Sequence, residues 1–316
     1  QVRHSIRPSL LLDFANSKQL DPRMSFTRSS TGLYWDGKTT VKAEENLVMG
    51  SNDLTTGWSY NNVQKTTGHT APDGTSTAVG LDEDSTSNTF FFGVESISAY
   101  SSSDYVFSVY AKANERSAVY MVVRVNSGAK RYAVNFDLSN GTFIDDFNMG
   151  GTTGVAYDIE SVGNGWYRCS VTAHNEAGDI IICTGPNDGG NLSDINGSHV
   201  GIVGHGIYAW GAQLEQRSSP TQYSQTTTVP ISKFQPALQS AHVNSPRFDH
   251  DPVTGESKGL LIEEARTNYA PYSTPDSNWI QAAYMITPNY AIAPDGTQTA
   301  GFIHESATSR QQLAYT

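Results

Sequence analysis

Two kinds of side chain in this 316-residue chain are equipped for chemistry, paired carboxylates and aromatic rings. Carboxylates adjoin at Glu44/Glu45, Asp82–Glu83–Asp84, Asp145/Asp146 and Glu263/Glu264. Glycoside hydrolysis needs two acids held roughly 5–10 Å apart across a cleft, which adjacency in sequence does not supply. These pairs read as solvated turns and strand ends. The chain has no Gly-x-Ser-x-Gly elbow, P-loop or His-Glu-x-x-His. Its eight histidines show no ligand spacing and read as loop residues. The expectation is a protein that is not an enzyme, with no cofactor beyond a structural ion.

That ion would be Ca²⁺. Asp82 and Asp84 with Asn88, or Asp188 with Asp194, offer oxygen ligands of the kind Ca²⁺ takes, set against plain acidic loops. The aromatics point to sugar binding, in which exposed rings stack on pyranose faces beside polar groups. Trp58 and Tyr60 follow a glycine in a loop-like stretch, and Tyr100, Tyr110 and Tyr120 compete with them. Trp166 and Trp210 lie in alternating stretches and read as core, and the recurrence of Trp58 as Trp279 fits a core anchor of the first strand better than a ligand platform. The two cysteines, Cys169 and Cys183, flank what reads as a hairpin loop over His174–Gly178. A symmetric loop would set them face to face, either as a strained disulfide or as two small buried thiols.

The elements that must position these residues are strands. Only 16 % of the chain is charged, and Ser, Thr, Asn, Gly and Tyr abound, a β composition with many turns. Alternating runs occur at Tyr105–Lys112, Tyr132–Phe136 and Trp166–Ala173, Ala118–Val125 is a nearly continuous apolar strand, and Ile207–Glu215 is the last strong strand. Turn signals fall every 8–12 residues or so, the mark of a sandwich or barrel. The fold class is all-β, an antiparallel two-sheet β-sandwich of jelly-roll type. In the leader, Ser9–Phe14 and Met24–Arg28 read as strands and Asp36–Gly37 as a hairpin turn. The net charge of −11 argues against a nucleic-acid surface, which needs clustered Lys and Arg. No apolar run reaches the ~20 residues that span a bilayer, and no signal peptide opens the chain, so no membrane insertion is expected.

The chain also repeats itself. Glu45–Asn46–Leu47, Trp58 and Ala71–Pro72–Asp73–Gly74–Thr75–Ser76–Thr77–Ala78 return as Thr267–Asn268–Tyr269, Trp279 and Ala293–Pro294–Asp295–Gly296–Thr297–Gln298–Thr299–Ala300. The repeat divides the chain into an extended N-terminal segment (1–45), a sandwich (46–224), a linker (225–267) and the start of a second, incomplete sandwich (268–316). The natural chain is expected to continue past Thr316.

Leu11–Leu12–Asp13–Phe14, Leu20–Asp21–Pro22–Arg23 and Phe26–Thr27–Arg28–Ser29–Ser30–Thr31 resemble the opening of virion proteins of tailed phages, those of marine and cyanobacterial phages in particular. The string Pro246–Arg247–Phe248–Asp249–His250–Asp251–Pro252–Val253–Thr254–Gly255–Glu256, followed by Gly259–Leu260–Leu261–Ile262–Glu263–Glu264–Ala265–Arg266–Thr267–Asn268, is similar to a linker common in the same proteins. The resemblance implies a tail or head fibre or spike with repeated sandwiches like carbohydrate-binding modules, located in the virion. It implies attachment to other virion proteins (head, portal or adaptor, or tail) through residues 1–45, a homotrimer, and host-surface polysaccharide as ligand. The alternatives are a non-catalytic carbohydrate-binding module of a larger secreted protein and, third, a polysaccharide depolymerase.

Overall fold

A computed structural model describes residues 12–98, 101–264, 267–269, 273–274, 279–282, 284–305 and 313–315. Its strands are β1 (Gly32–Asn46), β2 (Ser59–Asn61), β3 (Val63–His69), β4 (Ala78–Glu83), β5 (Asn88–Thr89), β6 (Phe92–Ile97), β7 (Ser103–Ala113) and β8 (Ala118–Val125). There follow β9 (Lys130–Asp137), β10 (Thr142–Met149), β11 (Ala156–Gly163), β12 (Trp166–Asn175), β13 (Ile180–Asn187), β14 (His199–Val200) and β15 (Gly206–Glu215). The remainder are β16 (Ile231–Ala241), β17 (Phe248–His250), β18 (Ser257–Leu260), β19 (Ile280–Ala282), β20 (Tyr284–Ala291), β21 (Ala300–Glu305) and β22 (Leu313–Tyr315).

Two compact units result, residues 44–232 and the discontinuous pair 1–43 with 233–316. The first is the antiparallel sandwich that the alternation predicts. One six-stranded sheet has the order β10-β9-β8-β13-β6-β2, the other β11-β12-β7-β15-β4-β3. Alternate residues meet between them: Phe107 and Val109 of β7, Cys169 and Val171 of β12, Met121 and Val123 of β8, and Ile180 and Ile182 of β13. All eight are 0 % exposed, so this interface is the dominant apolar burial of the unit.

β15 breaks strict alternation. Ala209 and Ala212, three apart, both join the core. The register shifts between Trp210 and Gln213, and Gly211 adopts φ +65°. This bulge turns Trp210 and Gln213 to the outer face together.

Four local expectations are corrected. Leu12–Phe14 is not strand, because Asp13 caps the single-turn helix α1 (Phe14–Ser17) by accepting the Asn16 N–H at 3.3 Å; Ser9–Leu11 lie outside the described residues. Met24–Arg28 joins no ladder; Arg28 exchanges bonds with a turn instead, its N–H donating to Asn244 Oδ1 and its carbonyl accepting the Asn244 N–H. Asp36–Gly37 closes no hairpin. Asp36 Oδ1 accepts the N–H groups of Lys38 and Thr39 at 2.9 and 2.7 Å, a kink inside the continuous β1, which pairs with β16. Finally, β12 and β13 are not a hairpin, since each lies in a different sheet. Cys169 faces the inter-sheet core and Cys183 the opposite side of the other sheet, so both are free buried thiols. Burial pushes both thiols up, Cys183 to about 12.

Candidate functional site

The outer face of the sheet that contains β15 carries the densest aromatic and polar grouping. Residues directly opposite across an antiparallel ladder share a face. One such row runs Trp166 (β12), Lys112 (β7), Tyr208 (β15), Gly80 (β4) and Thr66 (β3). The next contains Arg168, Tyr110 and Trp210. Ile207 and Ala209 point inward, so Tyr208 and Trp210 must point out.

Trp166, at 2 % exposed, and Trp210, at 5 %, are nonetheless covered. Ala71 and Ala78 flank the repeated turn and pack here, and Thr77 Oγ1 accepts the Trp210 indole N–H at 2.9 Å. Tyr223 closes the other side, 4.7 Å from the Trp210 ring. Tyr110 is half-buried, edge-on to Trp210 at 5.2 Å, with the Arg168 guanidinium 5.4 Å from its ring centre.

Tyr208, like Tyr110, is only partly covered and sits beside a polar cluster. Its ring lies 4.6 Å from that of His69. Thr66 Oγ1 bonds His69 Nε2 at 3.0 Å and donates to Asp82 Oδ2 at 3.2 Å. Gly80 permits this convergence, because a Cβ there would sit 2.2 Å from Thr66 Oγ1. Burial and then the charge of Glu115 push the Asp82 carboxyl up, while Thr66 and His69 pull it down. An apolar ring beside a hydroxyl, an imidazole and a carboxylate can pack on a sugar face and exchange hydrogen bonds with its hydroxyls.

Of the predicted ligand residues, only Tyr110 lies on this face. Trp58 is 7 % exposed in the main core, its indole N–H donating to the Met49 carbonyl at 3.2 Å. Tyr120 is 1 % exposed under Leu192 and Ile195, its hydroxyl bonding the Ile195 carbonyl. Neither ring presents a free face, which corrects both expectations. Tyr60 is half-buried and its hydroxyl is committed to the Leu54 carbonyl. Tyr100 lies outside the described residues. Asp82 belongs to the site, although in sequence it was singled out for calcium. Asp84 and Asn88 are exposed, and among the described residues no group of three or more His, Cys, Asp or Glu side chains is placed to hold a metal. Tyr208, Thr66 and His69 escaped the sequence reading. The alternation of β15 is the signal that places Tyr208 outward; the convergence over Gly80 is a cross-strand event with no sequence signal.

The histidines are not all in loops. His199 begins β14 and is buried. Its Nε2 bonds Glu83 Oε1 at 2.8 Å, and Arg116 Nε and Nη2 donate to the two Glu83 oxygens at 2.8 Å each. Burial opposes the charge, but His199, Arg116 and the Ile202 N–H hold the Glu83 carboxyl down at about 2. The Glu83 side chain is 0 % exposed and that of His199 2 %, so this constellation is an interior clamp, closed to substrate.

No family model matches the chain, and no curated protein matches it. Among solved structures it is similar to the enzymatically active domain of tailspike protein 4 of bacteriophage CBA120, at 14 % identity and a TM-score of 0.33. The match covers 54 % of this chain and 21 % of that one. That structure is described as enzymatically active, against the expectation that the chain is not an enzyme.

Proposed function

We propose that this chain is a structural protein of a tailed-phage virion, a fibre or spike, whose sandwich binds surface glycans through the Tyr208 face. The observation that carries the glycan reading is the convergence of Thr66, His69 and Asp82 beside the partly exposed ring of Tyr208. The virion reading is supported by the leader and linker strings and by the modular repeat. In this reading residues 1–45 attach to other virion proteins and the chain assembles as a trimer.

Full-length protein on an array of bacterial surface polysaccharides tests the glycan reading. Tyr208→Ala and Asp82→Asn should each weaken binding by roughly tenfold, about 1.4 kcal/mol, with the circular-dichroism spectrum unchanged. Binding unaltered in both variants would sink the assignment of this face. Antibody to the chain should decorate intact particles in negative stain.

A second reading has its own observation. Asp82, raised by burial and by Glu115, is a carboxyl of the kind that serves as general acid beside an ionised partner. If the face cleaves what it binds, reducing ends will accumulate, and Asp82→Asn will stop their release altogether, a larger effect than its roughly tenfold loss of binding.

A further inference from the structure

A second cleft, of roughly 960 Å³, opens in the discontinuous unit. Arg28, Ser29, Ser30, Arg247, Glu263 and Glu264 are among its walls. Its floor is basic and rigid. The two Arg28–Asn244 hydrogen bonds pin one side, and the Leu261 N–H donates to the Arg247 carbonyl at 2.8 Å on the other. The guanidiniums converge on Gly32, where a Cβ would lie 2.8 Å from Arg28 Nη1 and 2.9 Å from Arg247 Nη1.

The donors of these two side chains are only partly used. Arg28 Nη2 donates to the Ala241 and His242 carbonyls at 3.1 and 2.6 Å. Arg247 Nη1 donates to the Leu33 carbonyl at 2.8 Å, and Nη2 to Glu263 Oε2 at 2.7 Å. Arg28 Nε and Nη1 and Arg247 Nε are buried with no hydrogen-bond partner among the described residues. Arg247 itself is only 5 % exposed. Unmet donors on a buried cation are costly, and two guanidiniums in one place repel. Glu263 offsets this weakly, because its side chain is 58 % exposed and screened by water.

We propose that this cleft is an oxyanion-binding site, taking a carboxylate or phosphate group between Arg28 and Arg247 with the hydroxyls of Ser29 and Ser30 at its rim. Guanidinium forks match the paired oxygens of both groups, and an anion in the cleft would offset the repulsion between the two cations. The site belongs to the other unit and does not depend on the glycan reading above. Uronate-type sugars and phosphate-bearing polymers are the two sources of that chemistry.

Calorimetric titration of the full chain with inorganic phosphate, glycerol phosphate and glucuronate, at ionic strength held constant with sodium chloride, tests it. At least one anion should give a saturable isotherm near one per chain, and which of glycerol phosphate and glucuronate binds more tightly identifies the source. Arg28→Gln should weaken binding at least tenfold. Glu263→Gln, which removes the carboxylate charge competing for Arg247, should tighten it. The proposal is overturned if no anion binds beyond chloride, if Arg28→Gln leaves the isotherm unchanged, or if Glu263→Gln weakens binding.

Discussion

The same hairpin occurs twice in this molecule with different surroundings. In the sandwich, β3 pairs with β4 as Val63↔Glu83, Lys65↔Leu81 and Thr66↔Gly80. In the other unit, β20 pairs with β21 as Tyr284↔Glu305, Ile286↔Ile303 and Thr287↔Phe302, the same register. The turns match as well. Asp73 and Asp295 each accept the N–H and hydroxyl of the threonine two residues on, at 2.6–3.0 Å, and Gly74 and Gly296 adopt φ +83° and +87°. The second hairpin has one more residue at its bulge, with Thr287 and Ala291 bracketing it where the first copy has Thr66 and His69. Gly68 (φ +88°) and Asn289 (φ +56°) hold the matching left-handed position, one residue type free of the Cβ penalty and the other tolerant of it.

The surroundings differ. β4 continues into a ladder with β15, and Leu81 is 0 % exposed in the core. β21 pairs with β20 alone among the described residues, and Ile303 is 45 % exposed. Where the first copy has Gly80 and Asp82, the second has Phe302 and His304, whose rings stack 5.3 Å apart with Tyr290 4.8 Å beyond Phe302. Local sequence therefore builds the hairpin, and long-range partners decide what its face does.

The largest test of that difference is Glu83→Ala. It strands Arg116 at a buried carboxylate site and should cost about 3–5 kcal/mol in the sandwich. Hydrogen exchange should show the 44–232 unit loosened and residues 284–305 unchanged; equal loosening of both hairpins would break the comparison. The pH dependence follows. Glu83 is lower in the fold, at about 2, than its ordinary 4.5, so its contribution is present above about 4.5 and is lost as pH falls toward 2.

Leu81→Ala should cost about 2–5 kcal/mol by denaturant titration, as core truncations do. Ile303→Ala, at the matching position, should cost less than about 1 kcal/mol. Similar costs would mean that Ile303 is buried after all.

Glu95 offers a test at the opposite end of the pH scale. It is 1 % exposed, Oε1 accepts only the Met49 N–H at 3.0 Å, and burial pushes its carboxyl up to about 7. With the folded value above the ordinary 4.5, its contribution is full below about 4.5 and is lost as pH rises through 7. Sandwich stability should fall by on the order of 2–3 kcal/mol between pH 5 and 8, and Glu95→Gln should flatten that slope.

The smallest effect is at the bulge. Gly68→Asn should cost under about 1 kcal/mol, since nothing lies within 4 Å of a Cβ there and Asn289 already holds the equivalent position. Gly68→Val should cost more, because a β-branched residue resists φ +88°.

Much of the fold was legible. The period-2 run at Tyr105–Lys112 and the continuous apolar run at Ala118–Val125 are β7 and β8, and the repeated Ala-Pro-Asp-Gly-Thr string is the same turn twice. The site was less legible. Alternation says which side chains leave a sheet face, but not what covers that face. Nothing in the sequence says that Trp58 and Tyr120 are sealed by the core and by the Leu192–Ile195 loop, or that Tyr208 keeps part of its surface exposed. The cysteine pairing failed for a related reason, since loop length between two strands does not say whether the second returns beside the first or crosses to the other sheet.

By itself, then, the sequence determined strands, turns and a duplicated hairpin, because backbone conformation and residue alternation are settled within a few residues. Only the tertiary structure decided that Glu83 is clamped, that Arg28 and Arg247 meet at Gly32, and that Thr66, His69 and Asp82 gather beside Tyr208. Those meetings join residues between 3 and more than 200 positions apart, and whether they form depends on which strands pair and which loops cover them.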